Sequence, residues 1–282
     1  MDSFTERKFD DGWKNATLAN NFIFYKVMKH HPEECKHLIE MLLNVQIESI
    51  EMHNEEVIDI DCDSKSIRLD VYVTDDKRMY DIELQVANTN ELPERSRYYS
   101  ALMSLDTLKI GQKYKQLRDG HVIFICMKDI FGDRLPVYSF ENICLENKKI
   151  KLNDRDYKHF FIAPTCAKIL KNPELRAFFE LLTSNNPSNE FTSNLKQFVD
   201  DAKHNMQWRY EYMTWERIQA YARDEGEQKG RTEKAIEDAI KIIKKYNATP
   251  EEAANDMDAP LDKVLEKLNE INTLKTQTGE IK

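Results

Sequence analysis

The residues of this chain that could do chemistry together lie in the stretch 67–85, IRLDVYVTDDKRMYDIELQ. Two apolar, β-branched runs flank TDDKR, which has the composition of a turn, so the stretch predicts a β-hairpin. Asp70 falls in the first strand, and Asp81, Glu83 and Gln85 alternate with apolar residues in the second. Because side chains alternate between the two faces of a strand, those last three share one face.

The predicted pairing of this hairpin places Asp70 opposite Glu83, near the middle of a sheet. Two carboxylates that close repel each other unless a positive charge compensates them. The simplest compensation is a divalent cation, because hard cations prefer oxygen ligands. The stretch therefore predicts a metal site between the two strands.

The spacing from Asp70 to the run ELQ at 83–85 resembles the core of the PD-(D/E)xK nucleases, and the Gln variant IELQ is similar to the recombination-promoting nucleases, the Rpn family. Two later segments, LPERSRYYSALMSLDTLKIGQKYKQL and HVIFICMKDIFGDRLPVYSFENICLE, resemble the helix and the strand that follow in that family. The likeness extends over about 17–268.

This resemblance implies an α/β fold, with a mixed central sheet flanked by helices in a restriction-endonuclease-like core and with a helical C-terminal extension. It implies a metal-dependent DNA endonuclease that acts in a mobile-element, recombination or phage-defence setting. Asp70, Glu83 and Gln85 would be catalytic, and Asp70, Glu83 and the Leu84 carbonyl would hold Mg²⁺, with Mn²⁺ as an alternative. The ion would lower the pKa of a bound water and neutralise phosphate oxygens.

Gln85 stands where related nucleases carry lysine, and an amide supplies no positive charge. A second metal ion or the basic helix around Arg97 would have to supply it. Arg97 could hold the scissile phosphate through its planar guanidinium, or it could form a salt bridge with a site carboxylate. Lys113, in the same basic region, is the second predicted DNA contact.

Three accessory residues complete the candidate site. The family pattern has an Asp after an Asn on the first helix, where this chain has Asn21, whose amide can cap a helix but adds no charge. Glu40, on the next predicted helix, either faces solvent or flanks the site. Tyr98 belongs to the RYY run that resembles the family, and a core position is the alternative to a base-stacking role.

The net charge of −9 over 282 residues excludes a surface that is basic throughout, so DNA binding requires a local basic patch. The stretches 95–118 and 148–158 are rich in Lys and Arg, with ordinary solvated faces as the alternative. With 32% charged and 41% hydrophobic residues, the composition is that of a folded globular protein.

Five scattered cysteines without a CxxC pair favour reduced thiols and hence a cytoplasmic location. The start of the sequence is charged, which predicts no signal peptide, and the apolar runs are too short for a bilayer. We therefore expect no membrane partner.

The order of elements predicts four regions. They are a nuclease-like core at 15–165, helices packing on it at 166–223, a helix-turn-helix-like region at 224–272 and a tail at 273–282. Within the core we expect a helix at 15–29, a first strand at 57–64, a long helix from Pro93 into the basic region and a buried strand at 122–127. The charged run DEGEQKGR at 224–231 holds two of the seven glycines and predicts a hinge.

The C-terminal helix 261–271 carries acids as well as lysines and lacks the residues that read bases, so we expect it to serve partner contact. Two short helices bury little alone, and their apolar rows therefore predict a homodimer, with a tail packed back on its own core as the alternative. The acidic balance and Asn21 also support a second function, that of a catalytically weak or inactive nuclease-fold protein acting as a DNA-binding or assembly module.

Overall fold

The computed structural model describes residues 3–53, 71–87, 91–108 and 111–278. Its strands are β1 (Glu51–Met52), β2 (Val71–Thr74), β3 (Arg78–Gln85), β4 (Asp119–Cys126), β5 (Val137–Phe140) and β6 (Asp156–Ile162). These described strands form one six-stranded sheet in the order β1-β2-β3-β4-β6-β5. β3, β4 and β6 are parallel, whereas β1, β2 and β5 run antiparallel to their neighbours, so the predicted mixed sheet is confirmed.

The predicted hairpin is formed by β2 and β3, which pair from Val71↔Ile82 to Thr74↔Met79. Asp75 shapes the turn, because its Oδ1 accepts hydrogen bonds from the backbone N–H groups of Lys77 and Arg78. As far as Val71, the two strands pair in the register that the predicted position of Asp70 opposite Glu83 requires. Asp70 itself, and the strand predicted at 57–64, lie outside the described residues.

The centre of the sheet is β4, whose residues from Val122 to Cys126 are all buried. This confirms that the apolar run at 122–127 forms a strand covered on both faces. The run KKIKLNDRDYKHFFIAP at 148–164 predicts a hairpin near an edge, but its second half forms β6, which lies inside the sheet, and β5 forms the edge on that side. The reason is that β4 pairs with β6 in parallel, which leaves only β5 outside.

The helices are α1 (Ser3–Asn15), α2 (Asn21–His30), α3 (Pro32–Leu43), α4 (Leu92–Thr107), α5 (Ala163–Ile169), α6 (Pro173–Ser184), α7 (Glu190–His204), α8 (Met206–Tyr246), α9 (Pro250–Asp256) and α10 (Leu261–Thr278). α4 covers one face of the sheet, where Tyr99 stacks near Phe124 with ring centroids 6.2 Å apart. Phe179 of α6 stacks on Phe161 of β6 at 5.9 Å. No helix among the described residues has both the length and the apolar character of a membrane span.

Two helix boundaries differ from the prediction. The helix expected at 15–29 begins only at Asn21, because the side chain of Asn20 accepts a hydrogen bond from the Ile23 N–H and caps α2. The helix from Pro93 ends at Thr107, because Leu108 is extended and Gly111 has a positive φ of 89°. The basic residues that follow therefore lie in a separate segment with a short 3-10 turn at Tyr114–Gln116.

The chain divides into two units, Met1–Tyr210 and Glu211–Lys282. The second unit has a small core of its own, in which Ala239 and Ile240 of α8 pack with Ala253 and Ala254 of α9 and Val264 of α10. This confirms a helical C-terminal region.

The segment 224–231, for which we predicted a hinge, is helical throughout as part of α8. Two ion pairs at helical spacing, Glu225–Lys229 and Glu227–Arg231, accompany the glycines and stabilise the exposed helix.

Candidate active site

Asp81, Glu83 and Gln85 of β3 lie on one face of the sheet, as their alternation predicts. Asp81 is fully buried and Glu83 is only 3% exposed. Their partners on β4 in the parallel ladder are Val122 and Phe124, which belong to the apolar cluster beneath α4. Two neighbouring carboxylates are therefore buried among apolar side chains, which requires strong compensation of their charge.

Part of that compensation comes from Arg95 of α4. Its Nη2 donates to Oε2 of Glu83 at 3.0 Å, and its Nη1 donates to Oε1 of Gln85 at 2.8 Å. The hydroxyl of Tyr99, one helical turn later, accepts from Nη2 at 2.7 Å and from Nε at 3.1 Å. A single guanidinium thus connects two strand residues and one helix residue.

Two aromatic rings lie close to this guanidinium. Its Cζ lies 5.3 Å from the ring centroid of Tyr99 and 5.6 Å from that of Phe124. Burial, and next to it the charge of Glu83, raise the pKa of Tyr99 well above its ordinary value, so its hydroxyl stays protonated. The Arg95 side chain is 30% exposed and that of Glu83 only 4%, so the guanidinium lies between solvent and the buried carboxylate.

The amide of Gln85 has one defined orientation. Its Oε1 accepts from Arg95 at 2.8 Å, and its Nε2 donates to the carbonyl of Ala87 at 2.5 Å. Because a guanidinium only donates and a carbonyl only accepts, the reverse orientation of the amide would break both contacts. Gln85 therefore holds Arg95 in this structure.

The start of α4 places Arg95 over the sheet. Leu92 is fully buried at the first turn, and the Ser96 hydroxyl donates to the carbonyl of Pro93 at 2.7 Å. From this anchor the spacing of four residues brings Arg95 and Tyr99 to the same side of the helix.

Arg97 and Tyr98, the predicted phosphate contact and accessory residue, lie on the outer part of α4 and are exposed. The salt bridge considered for Arg97 is formed by Arg95 instead, because Arg97 is two positions further on the helix and points away from the sheet. Lys113 lies beyond the end of α4, is exposed, and donates from its backbone N–H to Oε1 of Gln116 at 2.8 Å.

The two N-terminal accessory residues lie on α2 and α3. Asn21 is the first residue of α2 and partly exposed, whereas the cap is Asn20. Oε1 of Glu40 accepts from the backbone N–H of Ile47 at 2.8 Å. Glu40 also lines a cavity of about 540 Å³ together with residues 75–78 of the hairpin turn. That turn lies about 17 Å along the strand from Glu83 at 3.4 Å per residue.

The β3 donors are of the type that a hard divalent cation prefers, because Asp81 and Glu83 are buried carboxylates two residues apart on one strand face, and the Leu84 backbone supplies a carbonyl oxygen. In the part of the chain that the structure describes, no group of three or more His, Cys, Asp or Glu side chains is placed to hold a metal ion. The predicted ligand Asp70 lies outside that part, so its place opposite Glu83 stays a prediction.

From the sequence, Arg95 is one of the basic residues of 95–118 that were predicted to lie at the surface, and its contact with Glu83 was not predicted. The sequence carries only a weak signal, because α4 has little amphipathic character, although Arg95 falls at helical spacing between Leu92 and Tyr99, which are both buried. Because charged side chains are mostly exposed, solvent exposure was the simpler interpretation for Arg95.

The chain has no match among the curated proteins and none among the solved structures. The model of one family, the PD-(D/E)XK nuclease family transposase, matches residues 20–265. That range begins at the cap of α2 and contains the whole described sheet, the ion pair of Arg95 with Glu83, and α9. Since the match covers most of the sequence, this chain belongs to the PD-(D/E)XK nuclease family transposases.

Proposed function

We propose that this protein is a Mg²⁺-dependent endonuclease that hydrolyses DNA phosphodiester bonds, with Mn²⁺ as an alternative cofactor, in a mobile-element, recombination or phage-defence setting. The observation that carries the proposal is the buried carboxylate of Glu83, held in place by Arg95 on the strand that bears the family's ELQ run. Buried charged groups with a specific charge partner are enriched at functional sites. The family supports the reaction class.

In this proposal Asp70, Glu83 and Gln85 form the catalytic group, and Asp70, Glu83 and the Leu84 carbonyl hold the ion. When bound, the ion would lower the pKa of a water ligand and neutralise phosphate oxygens. Arg95 keeps the Glu83 carboxylate in one orientation through the 3.0 Å contact with its Oε2. A fixed ligand avoids reorganisation when substrate binds.

DNA would be bound through its backbone by Arg97 and Lys113. Both side chains are exposed, and both lie on or just after the helix that covers the candidate site. Because such contacts release condensed counterions, DNA affinity should fall steeply with added salt. Asn21, Glu40 and Tyr98 remain proposed accessory residues.

Plasmid cleavage tests this function. We expect the protein to nick or cut plasmid DNA with Mg²⁺, and D70N and E83Q to lower the rate by at least about 100-fold. The matched control is E94Q, a change of the same chemical kind at an exposed position of α4. Cleavage that persists in EDTA and in D70N would overturn the metal-site assignment.

A second candidate function is a non-catalytic DNA-binding or assembly module that keeps the fold. Arg95 favours it, because the guanidinium already neutralises Glu83 and occupies the Gln85 amide oxygen. Calorimetric titration separates the two functions. Binding of Mn²⁺ that disappears in D70N supports the nuclease, whereas no binding at millimolar metal supports the module.

We also propose a cytoplasmic homodimer with a nuclease-like core at 15–165, helices at 166–223 that pack on it, a helix-turn-helix-like region at 224–272 and a tail at 273–282. One active site cuts one strand at a time, so a pair of copies would favour double-strand cleavage.

A further inference from the structure

We propose that Arg95 supplies from α4 the positive charge that a lysine at the third position of the ELQ run would supply, and that position 85 must therefore stay neutral. This inference rests on the proposed nuclease function and deepens it. It makes Arg95 the source of the positive charge beside Glu83, and it gives the glutamine at position 85 a physical reason.

The first step of the argument is the place of the cation. Arg95 contacts both Glu83 and Gln85, which are two residues apart on the same face of β3. A lysine at position 85 would start from the same strand face, so its ammonium would fall in the region that the guanidinium occupies. The cation is present at the site, and it comes from the helix rather than from the strand.

The second step is the fit between arginine and glutamine. Nη1 of Arg95 needs an acceptor, and the Oε1 of Gln85 provides one at 2.8 Å while its Nε2 donates to the Ala87 carbonyl. An ammonium at position 85 would offer only donors and would bring a like charge against the guanidinium. Arginine at 95 and glutamine at 85 are therefore matched to each other.

The third step is the rigidity of the cation. Tyr99 accepts two hydrogen bonds from Arg95, and its ring, like that of Phe124, flanks the guanidinium. All of these contacts are made within the protein, so the charge is in place before substrate binds. Preorganised charge stabilises a transition state without reorganisation at the moment of reaction.

The test exchanges the two groups. Four proteins are compared, namely the wild type, Q85K, R95Q and the double variant Q85K/R95Q, in which the cation and the amide change places. The thermal unfolding midpoint of the metal-free protein and the rate of plasmid cleavage well below that midpoint are measured. Q219K adds the same charge at an exposed position of α8, and R176Q removes an arginine from the surface of α6.

We expect Q85K to lower the midpoint by several degrees and the cleavage rate on the order of 100-fold, rather than to activate the enzyme. R95Q should lose a similar factor in rate. The double variant should recover at least about 10-fold in rate over either single variant and a higher midpoint than Q85K, because one cation and one acceptor face each other again.

A conservative variant separates the two residues. In Q85M the amide is lost while the cation of Arg95 remains, so we expect the cleavage rate to fall by a smaller factor than in R95Q. This variant also covers the case in which Q85K fails to fold.

Two results would overturn the inference while leaving the nuclease function intact. One is a Q85K protein that is as stable and as active as the wild type. The other is a double variant no better than Q85K alone. If the wild type cleaves no DNA with any metal ion, the proposed nuclease function is wrong, and this inference is wrong with it.

Discussion

Nη2 of Arg95 lies 3.0 Å from Oε2 of Glu83, so a guanidinium on α4 neutralises a carboxylate that is almost wholly buried on β3. The ion pair joins the helix to the sheet at the ELQ run of residues 83–85. Under the proposed function, stability and activity depend on the same contact. Changes at this contact should alter stability and activity together, and each can be measured separately.

Removal of Arg95 should destabilise the fold. R95L leaves Glu83 buried without this counter-charge, which costs about 3–5 kcal/mol when one partner of a buried pair is deleted. The double variant E83L/R95L should regain most of that loss, because neither charge remains. Urea denaturation measures the free energy of unfolding, with R176L as the control. A loss for R95L no larger than for R176L would contradict the prediction.

The second prediction concerns two histidines on β4 and β6. Nδ1 of His121 lies 3.2 Å from Nε2 of His159, and the hydroxyl of Ser139 lies 3.1 Å from Nδ1 of His159. Burial lowers the pKa of His121 to about 3 and that of His159 to about 4. For His121 the neighbouring His159 and Arg78 act in the same direction, and Asp75 opposes them.

Both histidines are neutral in the folded protein, whereas the unfolded chain takes up protons below a pH of about 6.5. Stability is therefore fully present above that pH and should fall as the pH drops toward 4, by on the order of 3 kcal/mol for the pair. Unfolding at pH 7.5, 6 and 4.5 measures this loss. H121F should flatten the dependence, and H204N, at an exposed position, should not.

The third prediction concerns the two glycines of α8, Gly226 and Gly230. An added Cβ at either position meets nothing within 4 Å, and both lie inside an exposed helix. Replacement by alanine should then stabilise the protein by about 0.5–1 kcal/mol per site. Thermal unfolding tests this, with plasmid cleavage as a second measurement. If the alanine variants lose cleavage activity and gain no stability, the result would support the hinge that the composition predicts.

Local sequence patterns predicted these strands well, because a buried strand face requires apolar residues at regular spacing along the chain. The alternation at 81–85 and the apolar run at 122–127 predicted the strands β3 and β4, and Pro93 predicted the start of α4. These features depend on a few neighbouring residues.

Features that depend on distant partners could not be predicted in the same way. The contact of Arg95 with Glu83 exists only because α4 docks on β3, and no short pattern reports that docking. The hinge at 224–231 was wrong because glycine in an exposed helix costs only about 1 kcal/mol, which ion pairs at helical spacing offset in part. Asp70 stays a prediction, since it lies outside the described residues.

The last prediction concerns the apolar row of α10. Val264 and Leu268 face the small core of the second unit, so part of the row is covered within the chain itself. Leu261 and Leu265 are 37% and 40% exposed, which leaves them as the members available for a second copy. Because such side chains gain stability by leaving water, they are the simplest dimer contact that α10 offers.

We expect L261K/L265K to turn a dimer into a monomer at micromolar concentration while the unfolding midpoint of the diluted protein stays within a few degrees of the wild type. Sedimentation measures the association state. N269K, a change to lysine at an exposed position of the same helix, is the control. If the double variant still dimerises, the dimer contact lies elsewhere on the molecule. If the wild type sediments as a monomer, the homodimer proposal is wrong. Double-strand cleavage should then fall with dimer dissociation while nicking of one strand continues, because each copy keeps the contact between Arg95 and Glu83.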